Sequence, residues 1–131
     1  MKTLIVEDDF TSRLLLQTFL SRYGDCHVAV NGWEAAEAVR SALDGGERYD
    51  LICMDLMMPE MNGRDAVKQI RALEAARSIS PTSGVKIVMT TAVNDIKDVM
   101  RCFNELCDAY LVKPIDLSEL LRQVKSYGLV Q

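Results

Sequence analysis

Residues 51–63, LICMDLMMPEMNG, place a single acid, Asp55, directly after four apolar residues. A run of this kind is typical of a strand that is buried on both faces of a parallel sheet. A carboxylate at the end of such a strand costs stability unless a partner group or an ion compensates its charge. The stretch therefore predicts a buried strand and directs attention to the groups that surround Asp55.

Apolar runs of the same kind recur along the chain and predict the remaining strands. They are LIV at 4–6, KIVM at 86–89 and YLV at 110–112, together with the weaker run CHVAV at 26–30. The last run is more polar, so we place it at an edge of the sheet. Five strands are expected in all.

Helical patterns lie between and after these runs. Asn31 stands three residues before Glu34, which favours a helix start, and Asp116 stands in the same relation to Glu119. Gly24 and the pair 45–46 predict helix ends. The other helices are predicted from apolar stripes: Leu15, Leu16, Phe19 and Leu20; Ala66, Val67, Ile70 and Leu73; Ile96, Val99, Met100 and Phe103; Leu117, Leu120, Leu121 and Val124. Alternating strands and helices predict an α/β fold, with helices on both faces of a parallel sheet.

Composition limits the classes of protein to which the chain can belong. The 131 residues are 49% hydrophobic and 26% charged, which fits one globular domain over residues 1–131 without an output domain. The net charge of −4 and the lack of a Lys/Arg run give no support for nucleic-acid binding. The sequence contains neither a bilayer-length apolar run nor a signal peptide, so we expect a cytoplasmic protein that does not bind membranes.

Polar residues stand at the predicted carboxyl ends of four strands. Glu7, Asp8 and Asp9 follow the first strand, Asp55 ends the third, Thr90 and Thr91 end the fourth, and Lys113 ends the fifth. Open α/β sheets bind ligands at this edge. If the strand order is 2-1-3-4-5, these four strands are neighbours and the acids meet.

Crowded carboxylates favour a divalent cation, and hard oxygen ligands suit Mg²⁺. Asp8 and Asp55 are candidate direct ligands, with Glu7 acting through water. A carboxylate can also attack phosphorus and form an acyl phosphate. Lys113 and a threonine hydroxyl can then bind the other phosphoryl oxygens. The residues therefore point to phosphoryl acceptance on Asp55.

Four motifs, LIVEDD, CMDLMMPEMNG, IVMTTA and YLVKP, together resemble the receiver domain of two-component response regulators. The resemblance spans nearly the whole chain. It implies a flavodoxin-like (βα)5 three-layer sandwich with a five-stranded parallel sheet of order 2-1-3-4-5. By the same resemblance, Glu7 and Asp8 form the acidic pair and Asp55 is the phosphoacceptor. The Met57 backbone carbonyl becomes a further metal ligand.

The resemblance also assigns the residues that respond to phosphorylation. Thr91 is the switch hydroxyl, Lys113 the phosphate-binding lysine, and Lys113–Pro114 a cis peptide bond. Tyr110 takes the place of the aromatic residue that turns when the hydroxyl moves. The face built by the fourth helix, the fifth strand and the fifth helix would then change shape, and it carries Lys97, Arg101, Tyr110 and Arg122.

These features imply a CheY-like single-domain response regulator. We expect its donor to be a sensor histidine kinase or a histidine phosphotransfer protein, and its target to be another protein. It would be a monomer or a phosphorylation-dependent dimer. It would be no enzyme beyond accepting and slowly losing its own phosphoryl group. The resemblance places Met57 and Val93 beside the phosphoryl group, and two apolar side chains cannot orient a hydrolytic water, so we expect the loss to be slow.

Other functions compete with this interpretation. A receiver that passes the phosphoryl group onward in a phosphorelay shares every motif. An aspartyl-phosphate hydrolase needs a second acid two residues after the nucleophile, where Met57 stands. A flavodoxin-like FMN carrier needs a phosphate loop after the first strand, where the acids would repel phosphate. A scaffold that works without phosphorylation would not need the acids, Thr91 and Lys113 together.

Overall fold

The computed structural model describes residues 1–58, 60–80, 82–92 and 106–131. The strands are β1 (Thr3–Val6), β2 (Cys26–Ala29), β3 (Leu51–Asp55), β4 (Lys86–Thr91) and β5 (Ala109–Val112). The helices are α1 (Phe10–Leu20), α2 (Gly32–Asp44), α3 (Gly63–Ala75) and the C-terminal helix (Leu117–Ser126), and a 3₁₀ turn spans Ser21–Tyr23. Several predictions lie outside the described residues: Val93, the helix with Ile96, Val99, Met100 and Phe103, and the face residues Lys97 and Arg101.

The five strands form one parallel sheet in the order β2-β1-β3-β4-β5. The predicted order is confirmed, and the polar run at 26–30 does supply an edge strand. In register, Val6 lies beside Met54, and Asp55 lies beside Thr90. The carboxyl ends of β1, β3, β4 and β5 therefore come together along one edge of the sheet.

Helices cover both faces of the sheet and create two cores. On one face, residues such as Val6, Met54 and Met89 pack with α2 and α3. On the other face, Ile5, Cys53, Val88 and Leu111 pack with α1 and the C-terminal helix. Burial of one large apolar side chain contributes about 1.5–3 kcal/mol, so both cores stabilise the central strands substantially. The chain is thus a three-layer sandwich.

Side-chain caps fix where each helix begins. The Asn31 side chain accepts a hydrogen bond from the Glu34 backbone nitrogen at 2.8 Å. Asp116 caps the C-terminal helix in the same way, so both predicted helix starts are confirmed. Asp9 caps α1 by accepting from the Ser12 nitrogen at 2.8 Å. Among the residues that the structure describes, the helices have at most 13 residues, and none is long and apolar enough to cross a membrane.

The phase of α1 differs from the prediction. Leu16 and Leu20 are buried as expected, but Leu15 is 47% exposed, and Phe10 and Leu14 are more exposed still. Neighbouring helical residues point about 100° apart, so the narrow stripe that faces the sheet cannot include both Leu15 and Leu16. One face of α1 is therefore an exposed apolar surface.

A buried ion-pair network joins α3 to the amino ends of β4 and β5. The Arg71 guanidinium donates to a Glu74 carboxylate oxygen at 2.8 Å, to the Val85 carbonyl at 2.9 Å and to the Leu106 carbonyl at 2.9 Å. Its remaining nitrogen lies 3.3 Å from an Asp108 carboxylate oxygen. Because Arg71 and Glu74 are almost fully buried, loss of one partner would leave an uncompensated charge.

Candidate functional site

Three carboxylates converge at the carboxyl edge of the sheet. Glu7 and Asp8 follow β1, and Asp55 is the last residue of β3. One oxygen from each of these three residues lies within 4.8 Å of the others. Glu7 and Asp55 are 1% and 5% exposed, whereas Asp8 is open to solvent. The arrangement brings together all the acids that the sequence predicts as metal ligands.

Lys113 supplies the positive charge at this site. Its ammonium nitrogen lies 3.0 Å from a Glu7 carboxylate oxygen and 3.3 Å from an Asp55 carboxylate oxygen. The lysine follows β5, and the Lys113–Pro114 bond is cis, as the resemblance implies. One ammonium group is therefore shared between two buried carboxylates.

Backbone contacts hold Asp55 in place. The Met57 nitrogen donates to an Asp55 carboxylate oxygen at 3.3 Å. The Leu56 nitrogen donates to the Thr90 carbonyl at 2.9 Å, and the Gly63 nitrogen donates to the Leu56 carbonyl at 2.8 Å. A side chain at Gly63 would place its Cβ 2.5 Å from the Asp55 carbonyl oxygen, so the start of α3 can approach the strand only with glycine there.

The single positive charge of Lys113 does not balance the negative charge of the carboxylates at this site. Burial raises the pKa of Asp55 from 3.8 to about 7, the negative charge of Glu7 adds to the rise, and Lys113 opposes it. Burial also disfavours the charged form of Lys113, but the two carboxylates outweigh it and raise the pKa of the lysine. A second cation would relieve the repulsion that the lysine leaves.

The donor set fits a hard divalent cation. Carboxylate oxygens are the ligands that Mg²⁺ prefers, and Glu7, Asp8 and Asp55 offer three that lie close together. For Met57, the described contact is that of its nitrogen, and its carbonyl stays a predicted ligand.

The two predicted switch residues lie on neighbouring strands, Thr91 at the end of β4 and Tyr110 in β5. Thr91 is 1% exposed at the end of β4, and its hydroxyl donates to the Ala92 carbonyl at 3.2 Å. The backbone nitrogen of Lys113 donates to the Thr91 carbonyl at 2.8 Å, so the two candidate phosphate-binding residues are linked directly. Tyr110 is half-buried and packs against the core on the α2 and α3 face.

One feature of the site was not predicted from the sequence. A cleft of about 130 Å³ lies between α1 and the end of β5, lined by Ser12, Leu15, Lys113, Pro114 and Ile115. The run FTSRLLL could have predicted an exposed leucine here, because three consecutive leucines cannot all face one core. Thr90, which the sequence places at the end of the fourth strand, is buried and is the register partner of Asp55.

Comparison with known proteins places this geometry in one family. The family model described as the response regulator receiver domain matches residues 3–125. The chain is 40% identical over 129 residues to hybrid signal transduction histidine kinase B of Dictyostelium discoideum, covering 94% of this chain and 6% of the kinase. It is 36% identical over 126 residues to the DNA-binding response regulator MtrA of Mycobacterium leprae, covering 95% of this chain and 50% of that protein. The chain thus spans half or less of these relatives.

Solved structures agree with this placement. The receiver domain of Ssk1 from Saccharomyces cerevisiae, crystallised with the histidine phosphotransfer protein Ypd1, gives a TM-score of 0.78 at 34% identity, covering 98% of this chain and 88% of that one. The receiver domain of the sensor histidine kinase PA1611 from Pseudomonas aeruginosa gives 0.77 at 27% identity, covering 97% of both chains. That structure contains a magnesium ion coordinated in its active-site cleft.

Proposed function

Because this chain belongs to the response regulator receiver domain family, we propose that it accepts a phosphoryl group on Asp55 and signals through the resulting change of shape. The observation that carries the proposal is the meeting of Glu7, Asp8 and Asp55 at one edge of the sheet, with Lys113 in contact with two of them. The donor would be a phosphohistidine of a sensor histidine kinase or a phosphotransfer protein.

The proposed reaction is a displacement at phosphorus. A carboxylate oxygen of Asp55 forms the new O–P bond while the P–N bond to the donor imidazole breaks. The imidazole nitrogen keeps the electron pair of that bond and is left as a neutral ring after proton exchange with solvent. The contacts from Lys113 and the Met57 nitrogen hold the Asp55 carboxylate in position for the attack.

Glu7, Asp8 and Asp55 are the residues that would hold Mg²⁺, which would offset the negative charge that accumulates on the phosphoryl oxygens. Lys113 adds a fixed positive charge to the same region and would bind a phosphoryl oxygen. Burial of Asp55 limits access of bulk water to the acyl phosphate.

Thr91 would report the change to the rest of the molecule. In the unphosphorylated protein its hydroxyl donates to the adjacent Ala92 carbonyl. The hydroxyl can therefore exchange this acceptor for a phosphoryl oxygen at small cost in free energy. The hydrogen bond from the backbone nitrogen of Lys113 to the Thr91 carbonyl would carry the movement to β5 and Tyr110.

The exposed face of α1 is the proposed docking surface for the donor protein. Phe10, Leu14 and Leu15 are 65%, 49% and 47% exposed. The cleft beside them includes Lys113, whose ammonium group contacts Asp55. A donor that buries these apolar residues would therefore sit next to the phosphoacceptor.

The direct test is incubation with Mg²⁺ and acetyl phosphate, followed by intact mass measurement. We expect one phosphoryl adduct on the wild type, none on Asp55→Asn, and a wild-type level on Asp50→Asn, whose acid lies exposed at the other end of β3. An adduct that persists in Asp55→Asn would contradict the assignment of the phosphoacceptor.

A second experiment tests the docking surface. With a phosphorylated histidine phosphotransfer protein as donor, Leu14→Asp should slow transfer to Asp55 at least about tenfold, since interface leucines contribute mainly through burial. Acceptance from acetyl phosphate should be unchanged. Val28→Asp is the matched control, because Val28 is 43% exposed on β2. Equal rates for both variants would remove α1 from the interface.

A relay role, in which Asp55 passes the group to a second histidine, uses the same residues and is the main alternative. Transfer back to an unphosphorylated phosphotransfer protein would identify it. The hydrolase alternative is disfavoured by Met57, whose exposed apolar side chain stands where a second acid is needed.

A further inference from the structure

Thr90 has a buried hydroxyl group that takes no part in the proposed phosphoryl transfer to Asp55. The residue is 2% exposed, and its hydroxyl has no hydrogen-bond partner among the residues that the structure describes. Buried hydroxyl groups are nearly always hydrogen-bonded, because leaving one unpaired opposes folding. A hydroxyl of this kind would be stabilised by any state of the protein that offers it an acceptor.

The sheet places Thr90 directly beside the phosphoacceptor. Thr90 and Asp55 are register partners in β4 and β3, and the Leu56 nitrogen donates to the Thr90 carbonyl at 2.9 Å. Adjacent strands lie about 4.8 Å apart, and side chains of register partners point to the same face. The Thr90 hydroxyl is therefore within reach of groups bound to the Asp55 carboxylate without any movement of the backbone.

The faces of the sheet separate Thr90 from Thr91. Side chains alternate along a strand, so Thr90 shares the face of Val88, which packs with α1 and the C-terminal helix. Thr91 belongs to the alternate set. The two hydroxyl groups therefore approach the phosphoacceptor from different sides of β4.

The path of Lys113 points to the same location. The lysine follows β5, whereas its ammonium group contacts Asp55 on β3 and Glu7 after β1. β4 lies between β5 and β3, so the lysine side chain must extend across the carboxyl end of β4, where Thr90 lies. A phosphoryl oxygen bound by this ammonium group would therefore lie close to the carboxyl end of β4.

We propose that Thr90 is a second hydroxyl donor of this site, which hydrogen-bonds an oxygen of the acyl phosphate on Asp55 and stabilises the phosphorylated state. The inference rests on the proposed function, since it needs a phosphoryl group on Asp55. Phosphorylation adds three strong acceptor oxygens, which is the kind of partner that an unpaired buried donor lacks. Thr90 would act alongside Thr91 and independently of it.

The chain offers a matched control for the test. Thr3 is also a fully buried threonine whose hydroxyl has no partner among the described residues, but it lies at the amino end of β1. Thr90→Val and Thr3→Val remove the same unpaired group from opposite ends of the sheet. Each should raise the Tm of the metal-free protein by about 2–5 °C, because a buried unpaired hydroxyl opposes folding.

The decisive measurement is the affinity for beryllofluoride in the presence of Mg²⁺, by titration calorimetry. Thr90→Val should bind about tenfold more weakly than the wild type, the loss expected for one hydrogen bond to a charged group. Thr3→Val should bind like the wild type. Thr90→Ser keeps the hydroxyl and should stay within about twofold of the wild type, and Thr90→Ala serves if the valine variant does not fold.

The outcomes separate this inference from the proposed function. If the wild type binds no beryllofluoride, or if Asp55→Asn binds it equally well, the phosphoacceptor assignment fails. If the wild type binds it in an Asp55-dependent way but Thr90→Val and Thr90→Ala bind as tightly as Thr3→Val, the role of Thr90 alone is overturned. Weaker binding by Thr90→Ser, equal to that of Thr90→Ala, would also overturn it.

Discussion

Asp55 shows how a single side chain couples burial to chemistry. Its position after four apolar residues predicts from the sequence that the carboxylate is buried and that its charge costs stability. The structure adds that Glu7 is a second buried acid and that one ammonium group serves both. That sharing depends on the reach of Lys113 across β4, which no local pattern encodes.

Removal of the Asp55 charge should stabilise the metal-free protein. The folded protein raises the pKa of Asp55 from 3.8 to about 7, so the stability from the protonated carboxyl is present below 3.8 and lost as pH rises through about 7. In EDTA, Asp55→Asn should therefore gain about 1–2 kcal/mol over the wild type at pH 8, after allowance for solvent screening, and little at pH 4. Urea denaturation at both pH values measures this, and an equal gain at both would contradict it.

Met57 should govern how long the phosphoryl group persists. Its side chain is 63% exposed next to Asp55 and has no group that can orient a water molecule. Met57→Asn, alone and with Val93→Glu, should shorten the half-life of phosphorylated Asp55 roughly tenfold, by positioning a hydrolytic water. Loss of phosphate after rapid removal of acetyl phosphate measures it. Beryllofluoride affinity should not change, and an unaltered half-life would refute the idea.

Among the elements, the strands were easier to predict than the phase of the helices. Runs such as LICM are apolar on both faces, so no choice of face was needed to identify β3. For α1, the sequence LLL is compatible with more than one stripe, and tertiary packing on the sheet selected Leu16 and Leu20. The caps at Asn31 and Asp116 were predicted because they are local interactions. The Arg71 network was not predicted, because three of its partners, Val85, Leu106 and Asp108, are distant in sequence.

Gly84 tests how tightly the Arg71 network is packed. A Cβ at this position would lie 2.6 Å from the Glu74 carboxyl carbon, and Glu74 cannot retreat because Arg71 and the Val85 nitrogen both bind it. Gly84→Ala should therefore lower the free energy of unfolding by about 2–3 kcal/mol. Gly45→Ala is the control, since its Cβ would lie 3.4 Å from the nearest atom, and it should change stability by at most about 1 kcal/mol. Similar costs for both in urea denaturation would argue against a rigid network.

At the scale of the whole molecule, the candidate site and the Arg71 ion-pair network lie at opposite edges of one sheet. The acids, the threonines and Lys113 lie at the carboxyl edge, and the Arg71 network lies at the amino edge. The alternation of strands and helices predicted this architecture, because parallel strands present all their carboxyl ends on the same side. The alternation of strands and helices did not determine the order of the strands, which was predicted from the resemblance to receiver domains.

Magnesium should stabilise the whole fold by mass action. At a Mg²⁺ concentration tenfold above its Kd, binding to the folded state alone adds about 1.4 kcal/mol, which corresponds to a Tm rise of about 5 °C. EDTA should reverse the rise. Asp8→Asn should abolish it, whereas Asp9→Asn should keep it, because Asp9 caps α1 and lies outside the acid cluster. A Tm that does not respond to Mg²⁺, measured by differential scanning calorimetry, would argue against the metal site.

β5 is a four-residue edge strand with ionic contacts at both ends, Asp108 to Arg71 at one and Lys113 to the acids at the other. Small displacements at the Arg71 end can thus reach the lysine through very little intervening chain. We therefore expect a substitution in the buried part of α3 to change how readily this protein accepts a phosphoryl group, although every residue around Asp55 stays the same.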